Sequence, residues 1–180
     1  MSIYKIISST YISEHPYFTA RKDAYETPTG KVVDPYYVVE MPDSAAAVAI
    51  THDQQIILIE QYRHPIQQTT LELPGGFIDG AEAPIKAIAR ELLEETGHQF
   101  SQIYSLGTTY ANPGVLNNAT HLFLAIGGVK VAQQQLDANE EINITYHTVA
   151  TVKNMLQTHT LIQSMHEVAL RRAFDFMASL

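Results

Sequence analysis

The sequence predicts an α+β or layered α/β/α fold. Segments rich in β-branched and aromatic residues recur along its 180 residues, as expected of strands. One strongly amphipathic helix is predicted over Pro84–Thr96, and two further helices are predicted near Val149–Gln157 and Gln163–Met177. Mixed strands with few helices are typical of layered domains built on one sheet.

The first third of the chain is predicted to be β-structure. Strands are expected over Tyr4–Ile12, Tyr17–Tyr25 and Val32–Val39. Thr27-Pro28-Thr29-Gly30 is predicted to be a turn, because proline presets φ and glycine accepts a positive φ. These strands would form a two- or three-stranded antiparallel sheet that ends at Met41-Pro42-Asp43. We therefore expect an N-terminal β subdomain over residues 1–43 and the main domain over residues 44–180.

The main domain is expected to contain further apolar strands. They are predicted over Ala45–Ile50, Gln55–Glu60, Thr70–Leu73, Ile103–Tyr110, His121–Ile126 and Ile142–Thr148. The first two would form a central hairpin. The predicted helix Pro84–Thr96 has proline in its first turn and Gly97 directly after its end, and each residue is tolerated at that position. Its apolar residues recur at helical spacing and are predicted to be buried: Ile85, Ile88, Ala89, Leu92 and Leu93.

Composition excludes several classes of protein. Lysine and arginine total 11 and aspartate and glutamate total 19, so the net charge is −8. This charge argues against a nucleic-acid polymer as partner, and the absence of a basic cluster argues against an anionic membrane surface. The chain has no cysteine and no apolar stretch of membrane-spanning length, and its first residues lack a secretory signal. These features predict a soluble, cytoplasmic protein.

Three glutamates of the central helix are candidates for a metal site. Glu91, Glu94 and Glu95 stand at i, i+3 and i+4, so their carboxylates are expected on one side of the helix. A divalent cation would offset their mutual repulsion, and oxygen-only ligands favour Mg²⁺, Mn²⁺ or Ca²⁺. The alternative is a solvated acidic face, which is common. None of the eight histidines has a metal-ligand spacing, so surface or packing positions are expected for them.

The sequence around this helix resembles the signature of the Nudix hydrolases. That signature is glycine, five residues, glutamate, seven residues, then Arg-Glu-apolar-x-Glu-Glu-x-Gly-apolar. Eight positions match: Gly76, Glu82, Arg90, Glu91, Leu92, Glu94, Glu95 and Gly97. His98 replaces the final apolar residue, where we expect a small effect on packing. The resemblance implies a Nudix α/β/α sandwich with a mixed central sheet and an N-terminal antiparallel β extension.

Further segments resemble the ADP-ribose pyrophosphatase branch of that family. They are Gln61–Pro65, Leu71–Gly76, Pro113 at 16 residues after Gly97, His121–Ala125 and Asn139–Ile142. The N-terminal strands resemble a subdomain that this branch uses for dimerisation, so a homodimer is expected. Two positions depart from the branch, since Leu116-Asn117-Asn118 lacks a carboxylate and Ser44 replaces an aromatic residue. Both departures concern the recognition of ADP-ribose.

The resemblance implies a role for each matching residue. Glu91, Glu94, Glu95 and the Gly75 carbonyl would bind Mg²⁺, or Mn²⁺, and Glu94 could instead orient water. Arg90 would orient the glutamates together with Glu82, while Gly76 and Gly97 would be structural. The general base would be Glu140 or Glu141, although either could be a solvated loop residue. Arg63, Glu72 and Pro113 would contact substrate; for Arg63, an ion pair with Glu72 is the alternative.

The expected reaction is the hydrolysis of a nucleoside diphosphate derivative. ADP-ribose, which would give AMP and ribose 5-phosphate, is the first candidate substrate. Another nucleotide sugar such as GDP-mannose, or a dinucleotide, is the second. The third possibility is a catalytically idle nucleotide-binding module of the same fold, although such a module would not need three mutually repelling glutamates.

Overall fold

The computed structural model of the protein describes residues 3–15 and 18–179. The chain divides into two compact units. One comprises the chain up to Pro42 together with Tyr110–Ala119, and the other comprises Asp43–Thr109 and the chain from Thr120 onward. The sequence-based boundary at residue 43 did not include the segment Tyr110–Ala119. Each unit is built on its own sheet.

The first unit contains a three-stranded antiparallel sheet in the order β1-β2-β3. Its strands are β1 (Lys5–His15), β2 (Phe18–Glu26) and β3 (Val32–Glu40). The strand predicted to start at Tyr17 begins at Phe18 within the described residues. The predicted turn is present, since the Gly30 amide donates to the Thr27 carbonyl at 2.9 Å and Gly30 has a φ of 82°. The segment Tyr110–Ala119 joins this unit through the Val39 amide, which donates to the Val115 carbonyl at 2.9 Å.

The second unit contains an eight-stranded mixed sheet, and the predicted α+β class is confirmed. Its strands are β4 (Ser44–Thr51), β5 (Gln55–Arg63), β6 (Gln68–Glu72), β7 (Gly75–Phe77), β8 (His98–Gln99), β9 (Gln102–Thr109), β10 (Thr120–Lys130) and β11 (Ile142–Thr148). The order is β11-β5-β4-β10-β8, with β6 on β5, β7 on β4 and β9 on β10. The pairing of β4 with β10 is parallel and the other pairings are antiparallel. Strands β7 and β8 were not predicted, because three and two residues are too few to show a period.

Helices cover both faces of the second sheet, as the resemblance implied. They are α1 (Pro84–Thr96), α2 (Val149–Gln157) and α3 (Ser164–Ala178), and a short 3-10 helix covers His64–Ile66. Alternate residues of β4 point to opposite faces of the sheet. Ala45, Ala47 and Ala49 pack with Ile88 and Leu92 of α1. On the other face, Val48 and Ile50 pack with buried residues of α2 and α3.

The predicted buried face of α1 was partly wrong. Ile88 and Leu92 are buried as expected, whereas Ile85, Ala89 and Leu93 are exposed. The buried side of the helix also includes Ala87, Glu95 and Thr96. A prediction based on apolar periodicity misses this arrangement, because the buried stripe passes through a carboxylate and a hydroxyl. In the described residues, no helix is long and apolar enough to cross a membrane.

Candidate active site

A cavity of about 560 Å³ lies in the second unit. Residues of β4–β7, α1, the segment between β10 and β11, and the start of α3 line it. Nine of the predicted site residues line it: Arg63, Glu72, Gly75, Gly76, Arg90, Glu91, Glu94, Glu95 and Glu140. Glu82, Gly97 and Glu141 are not among the lining residues, and Pro113 lies in the segment that belongs to the first unit.

Two adjacent glycines form the corner between β6 and α1. Gly75 has a φ of 150°, and a Cβ there would lie 2.1 Å from the Ala45 carbonyl oxygen of the paired strand. A Cβ at Gly76 would lie 2.6 Å from a carboxylate oxygen of Glu91. Only glycine leaves the space that these contacts require. The corner therefore brings the main chain directly against the carboxylate of Glu91.

Arg90 joins the carboxylates at the exposed side of the site. Its Nη1 donates to Glu91 Oε1 at 2.8 Å and to Glu94 Oε2 at 2.9 Å. Its Nη2 donates to Glu82 Oε2 and to the Phe77 carbonyl, both at 3.2 Å. Partial burial opposes protonation, but these carboxylates raise the pKa of Arg90. Arg90 thus offsets the repulsion that was expected between Glu91 and Glu94 and fixes both side chains.

Glu95 does not lie on the polar face with the other two glutamates. It is 4% exposed, and its Oε2 accepts a hydrogen bond from the Gly75 amide at 2.7 Å. Burial raises the pKa of Glu95 to about 8; the Gly75 amide opposes this shift and the charge of nearby Glu91 adds to it. Burial also raises the pKa of Glu91. The site therefore disfavours further negative charge in the absence of a cation.

The described carboxylates that line the cavity are of the kind that binds a divalent cation, but their side chains are not arranged around one point. Across residues 3–15 and 18–179, no three Asp, Glu, His or Cys side chains already surround one point. Arg90 pairs with Glu91 and Glu94, and Glu95 is bonded to Gly75. Yet the cavity presents carboxylate oxygens without sulfur ligands, the donor set that hard cations prefer. A cation would also stabilise the anionic forms that burial disfavours.

Glu72 is a further buried carboxylate of the cavity, and both of its oxygens accept hydrogen bonds. Arg63 Nε and Nη2 donate to its two oxygens at 2.8 and 2.7 Å, and the Thr70 hydroxyl and Gln163 Nε2 also donate to it. Burial alone would raise the pKa of Glu72, but the hydrogen bonds from Arg63 and Thr70 outweigh it, so this pKa is lowered. Of the two interpretations of Arg63, the structure contains the ion pair, and the guanidinium still lines the cavity.

His166 is a site residue that the sequence did not indicate. Its Nδ1 accepts a hydrogen bond from the Leu73 amide at 3.1 Å, and its side chain lines the cavity. Burial lowers the pKa of His166 to about 4, so the ring is neutral near pH 7 and its proton lies on Nε2. The first turn of α3 thereby holds the chain just before the Gly75-Gly76 corner. The two partners are 93 residues apart, so no local pattern could have identified the contact.

The segment before β11 brings acidic residues to the cavity. Asp137 and Glu140 line it, whereas Glu141 is exposed and outside the lining. The Asp137 amide donates to Glu140 Oε2 at 3.2 Å, and the Glu140 amide donates to the Asp137 carbonyl at 3.0 Å. Of the two proposed base residues, the geometry therefore favours Glu140.

The C-terminal end of α1 is fully capped. The last four carbonyls of a helix have no partner within it. Here the Leu93 carbonyl accepts from the Gly97 amide and the Glu94 carbonyl from the Gln135 amide. The Glu95 carbonyl accepts from Gln134 Nε2, and the Thr96 carbonyl lies 2.8 Å from His98 Nδ1. These contacts fix the turn that carries two of the three glutamates.

His98 therefore does more than fill a packing position. The atom facing its Nδ1 is a carbonyl oxygen, so Nδ1 carries the proton. Burial lowers the pKa of His98, which favours the neutral ring. An aliphatic residue could not make this bond. The sequence predicted only a packing role for His98, and the hydrogen bond to Thr96 is an additional one.

Comparison with known proteins identifies the family. The model of the NUDIX domain matches residues 41–167, which span the corner, the helix and the acidic segment. The chain belongs to the Nudix family. It is a Nudix hydrolase, and the members of this family generally use divalent metal ions. A second model, described as the nucleoside diphosphate sugar hydrolase N-terminal domain, matches residues 4–39.

Similar proteins agree with this assignment. An ADP-ribose pyrophosphatase of Bacillus subtilis is 27% identical over 147 residues, which cover 81% of this chain and 79% of the relative. A methanol dehydrogenase activator of Bacillus methanolicus is 29% identical over 150 residues, covering 83% and 80%. A crystal structure described as an ADP compounds hydrolase superposes with a TM-score of 0.86 at 20% identity, covering 98% of this Nudix hydrolase and 95% of that chain. At that identity the superposition establishes the fold.

Proposed function

We propose that this Nudix hydrolase cleaves the diphosphate of ADP-ribose, or of a related nucleoside diphosphate sugar, with Mg²⁺. Water would attack one phosphorus, the bridging P–O bond would break, and AMP and a sugar phosphate would leave. The observation that carries the proposal is the cavity lined by Glu91, Glu94 and Glu95, in which Glu91 and Glu95 lie against the Gly75-Gly76 corner. Buried carboxylates with raised pKa values are suited to a cation that itself binds diphosphate oxygens.

The proposed Mg²⁺, or Mn²⁺, ligands are Glu91, Glu94, Glu95 and the Gly75 carbonyl. When bound, the cation would neutralise phosphate charge and lower the pKa of a bound water. Arg90 keeps Glu91 and Glu94 in place and is itself anchored by Glu82. Gly76 leaves room for the Glu91 carboxylate, and Gly97 ends the helix.

The proposed general base is Glu140, because it lines the cavity and Glu141 does not. A base must come within hydrogen-bond reach of the attacking water, directly or through one further water. The segment that carries Glu140 lies beside the last turn of α1, since the Gln135 amide donates to the Glu94 carbonyl at 2.8 Å. Glu140 is thus on the same side of the cavity as the proposed ligands.

The proposed substrate contacts lie around the rest of the cavity. Arg63 would bind a phosphate or ribose oxygen with the N–H groups that its pair with Glu72 does not use. Phe77, which the sequence did not single out, is the one phenylalanine or tyrosine among the described lining residues and is about half exposed. It would stack on a base. The role proposed for Pro113 remains a proposal that rests on the resemblance.

The choice of ADP-ribose rests on relatives rather than on a single contact. The Bacillus subtilis relative is named an ADP-ribose pyrophosphatase, and the N-terminal model is described for nucleoside diphosphate sugars in general. Because that description does not specify a base, GDP-mannose is a second candidate. Dinucleotides are a third candidate, because the exposed ring of Phe77 could also stack on one of their bases.

We also propose that the chain is a homodimer joined through the N-terminal β subdomain, residues 1–43. Several large apolar side chains of β1 are exposed: Ile6, Ile7, Tyr11 and Ile12. Exposed apolar groups of this kind are typical of protein–protein contacts. Light scattering during gel filtration tests the proposal, and a monomer at micromolar concentration would contradict it.

A substrate panel tests the proposed reaction. Purified protein would be assayed with Mg²⁺ against ADP-ribose, GDP-mannose and a dinucleotide, beside Glu94→Gln, Glu95→Gln and the exposed control Glu60→Gln. We expect ADP-ribose to be hydrolysed to AMP and ribose 5-phosphate, with activity lost in the first two variants and kept in the control. Turnover of none of the panel by the wild type would contradict the proposed function. Full activity of both site variants would contradict the site.

A further inference from the structure

We propose that Gln134 is a positioning residue that holds the acidic loop, defined as residues 135–141, against helix α1. The loop carries Asp137 and Glu140 to the cavity. The inference rests on the proposed function in one respect, namely that Glu140 acts at the reacting centre. It adds a residue that lies outside the family signature and outside the cavity lining.

The contacts of Gln134 connect both ends of the loop to the helix. Its Nε2 donates to the Glu95 carbonyl at 2.8 Å and to the Ile142 carbonyl at 3.2 Å. Glu95 lies in the last turn of α1, and Ile142 is the first residue of β11. One amide nitrogen thus joins the helix, the residue before the loop and the residue after it.

The chemistry of a primary amide suits this position. Gln134 Nε2 has two N–H groups, and each faces one carbonyl acceptor. Because both partners are acceptors, the amide can be oriented only with its nitrogen toward them. A glutamate here would place a negative oxygen against two carbonyls, and an asparagine would be one methylene too short.

The neighbouring backbone bonds show which part of the arrangement depends on Gln134. The Val131 and Ala132 amides donate to the Gly97 carbonyl at 2.9 and 3.1 Å, and the Gln135 amide donates to the Glu94 carbonyl at 2.8 Å. These bonds fix the start of the loop without any side chain. The far end of the loop is held in the sheet, because Ile142 pairs with Gln61 of β5. Gln134 supplies the side-chain bond between this end and α1, so its loss would loosen the loop relative to the helix.

The interior of the loop depends on its ends for orientation. Asp137 and Glu140 are hydrogen-bonded to each other, which keeps the loop compact but does not fix it to the helix. The position of Glu140 relative to Glu94 and Glu95 is then set where the loop begins and ends. A small misplacement of a catalytic group is costly, because proton transfer depends on distance and alignment.

A double-mutant cycle tests the proposal. Gln134→Met keeps the length of the side chain and removes both donors. With whichever substrate of the panel the wild type hydrolyses fastest, we expect kcat to fall by roughly 10- to 100-fold with KM little changed, as for residues that orient a catalytic group. In a Glu140→Gln background the same change should cause no further loss. An equal loss in both backgrounds would overturn the proposal.

A matched variant separates positioning from stability. Thr145→Val removes two hydrogen bonds of a β11 side chain without touching the loop: one to the Leu58 carbonyl at 3.2 Å and one with His147 Nε2 at 2.9 Å. We expect Thr145→Val to lower Tm about as much as Gln134→Met while kcat stays near the wild-type value. If Thr145→Val lowered kcat as much as Gln134→Met, the effect of Gln134 would be one of stability, and the proposal would be wrong.

A fluorescence measurement tests the loop without using activity. The chain contains no tryptophan, so Ala138→Trp would place a single tryptophan in the exposed middle of the loop, where it can be excited at wavelengths that the ten tyrosines do not absorb. Adding Gln134→Met should lower the steady-state anisotropy and increase quenching by acrylamide. Unchanged values would overturn the proposal. Because this readout needs no substrate, it stays decisive even if the substrate panel contradicts the proposed function.

Discussion

Glu72 and Glu95 are two buried glutamates of one cavity with opposite electrostatics. Their exposed fractions are 2% and 4%. Glu72 receives hydrogen bonds from Arg63, Thr70 and Gln163, and its pKa is lowered. Glu95 receives one from the Gly75 amide, and its pKa is raised to about 8, chiefly by burial. Burial alone therefore does not determine the state of a carboxylate; its partners do. Glu72 is a stable anion of the scaffold, whereas burial disfavours the anionic form of Glu95 and a cation would stabilise it.

The largest expected effect is the loss of catalysis in Glu95→Gln. Because the amide cannot supply an anionic oxygen to a cation, we expect kcat to fall by roughly 10²–10³-fold, as when one preorganised electrostatic group is removed. The Gly75 amide can still donate to the glutamine oxygen, so Tm of the metal-free protein should not fall. Steady-state kinetics and thermal melting in EDTA measure the two quantities. A normal kcat in Glu95→Gln would contradict the difference in role proposed between Glu95 and Glu72.

Glu72→Gln is expected to lower the stability of the protein more than Glu95→Gln does. A glutamine cannot accept both bonds from Arg63, and its NH₂ group would face a donor. The free energy of unfolding should fall by about 1–3 kcal/mol, the usual cost when a charged hydrogen bond is lost in a buried site. Urea denaturation measures this loss. Should Glu72→Gln and Glu95→Gln destabilise the protein equally, the two glutamates would not differ as proposed.

The two glutamates should also give opposite dependences of stability on pH. Glu95 has a folded pKa of about 8, above the ordinary value of 4.5 for a glutamate, so the folded state binds the extra proton. Its contribution is present below pH 4.5 and is lost as the pH rises to about 8. The folded pKa of Glu72 is lowered, so its contribution is present above pH 4.5 and is lost as the pH falls through that lower value.

Melting curves of metal-free protein between pH 3 and pH 9 would separate these contributions. Glu95→Gln should flatten the decline on the alkaline side, and Glu72→Gln should flatten the decline on the acidic side. Mg²⁺ should restore Tm on the alkaline side in the wild type and not in Glu95→Gln. A wild-type Tm that rises steadily from pH 5 to pH 8 without metal would contradict the assignment for Glu95.

The smallest expected effect concerns the cap of the helix that carries Glu95. His98→Leu installs the kind of residue that the signature expects and leaves the Thr96 carbonyl without its partner. We expect a loss of about 1 kcal/mol in unfolding free energy, the typical net value of one hydrogen bond. Glu95 keeps its hydrogen bonds with the Gly75 amide and Gln134 Nε2 in this variant, so kcat should stay within about twofold of the wild type. A tenfold fall in kcat would show that the cap sets the geometry of Glu95.

The sequence could predict those features that depend on nearby residues. The bounds of α1 are those predicted, because proline in the first turn and glycine after the last one are local signals. The spacing from Gly76 to Gly97 likewise identified the family without knowledge of the sheet.

The remaining features depend on contacts between distant parts of the chain. Glu95 is buried and accepts a hydrogen bond from the Gly75 amide, a contact across 20 residues that no helical periodicity reports. Gln134 is 39 residues from its partner Glu95 in the sequence, and His166 is 93 residues from its partner Leu73. Polar side chains whose partners lie so far along the chain look like ordinary surface residues in the sequence.

The parallel pairing of β4 with β10 has a consequence for how the chain folds. Ser44 and Thr120, which start the paired strands and are hydrogen-bonded, are 76 residues apart. During synthesis α1 therefore emerges before the strand that completes the sheet beneath it. Until β10 follows, one edge of β4 stays unpaired, although seven of its eight residues are buried in the finished protein. Long-range pairing of this kind slows folding and exposes an apolar strand edge to other chains. We therefore expect the newly made chain to be prone to aggregation in the interval between the synthesis of α1 and that of β10.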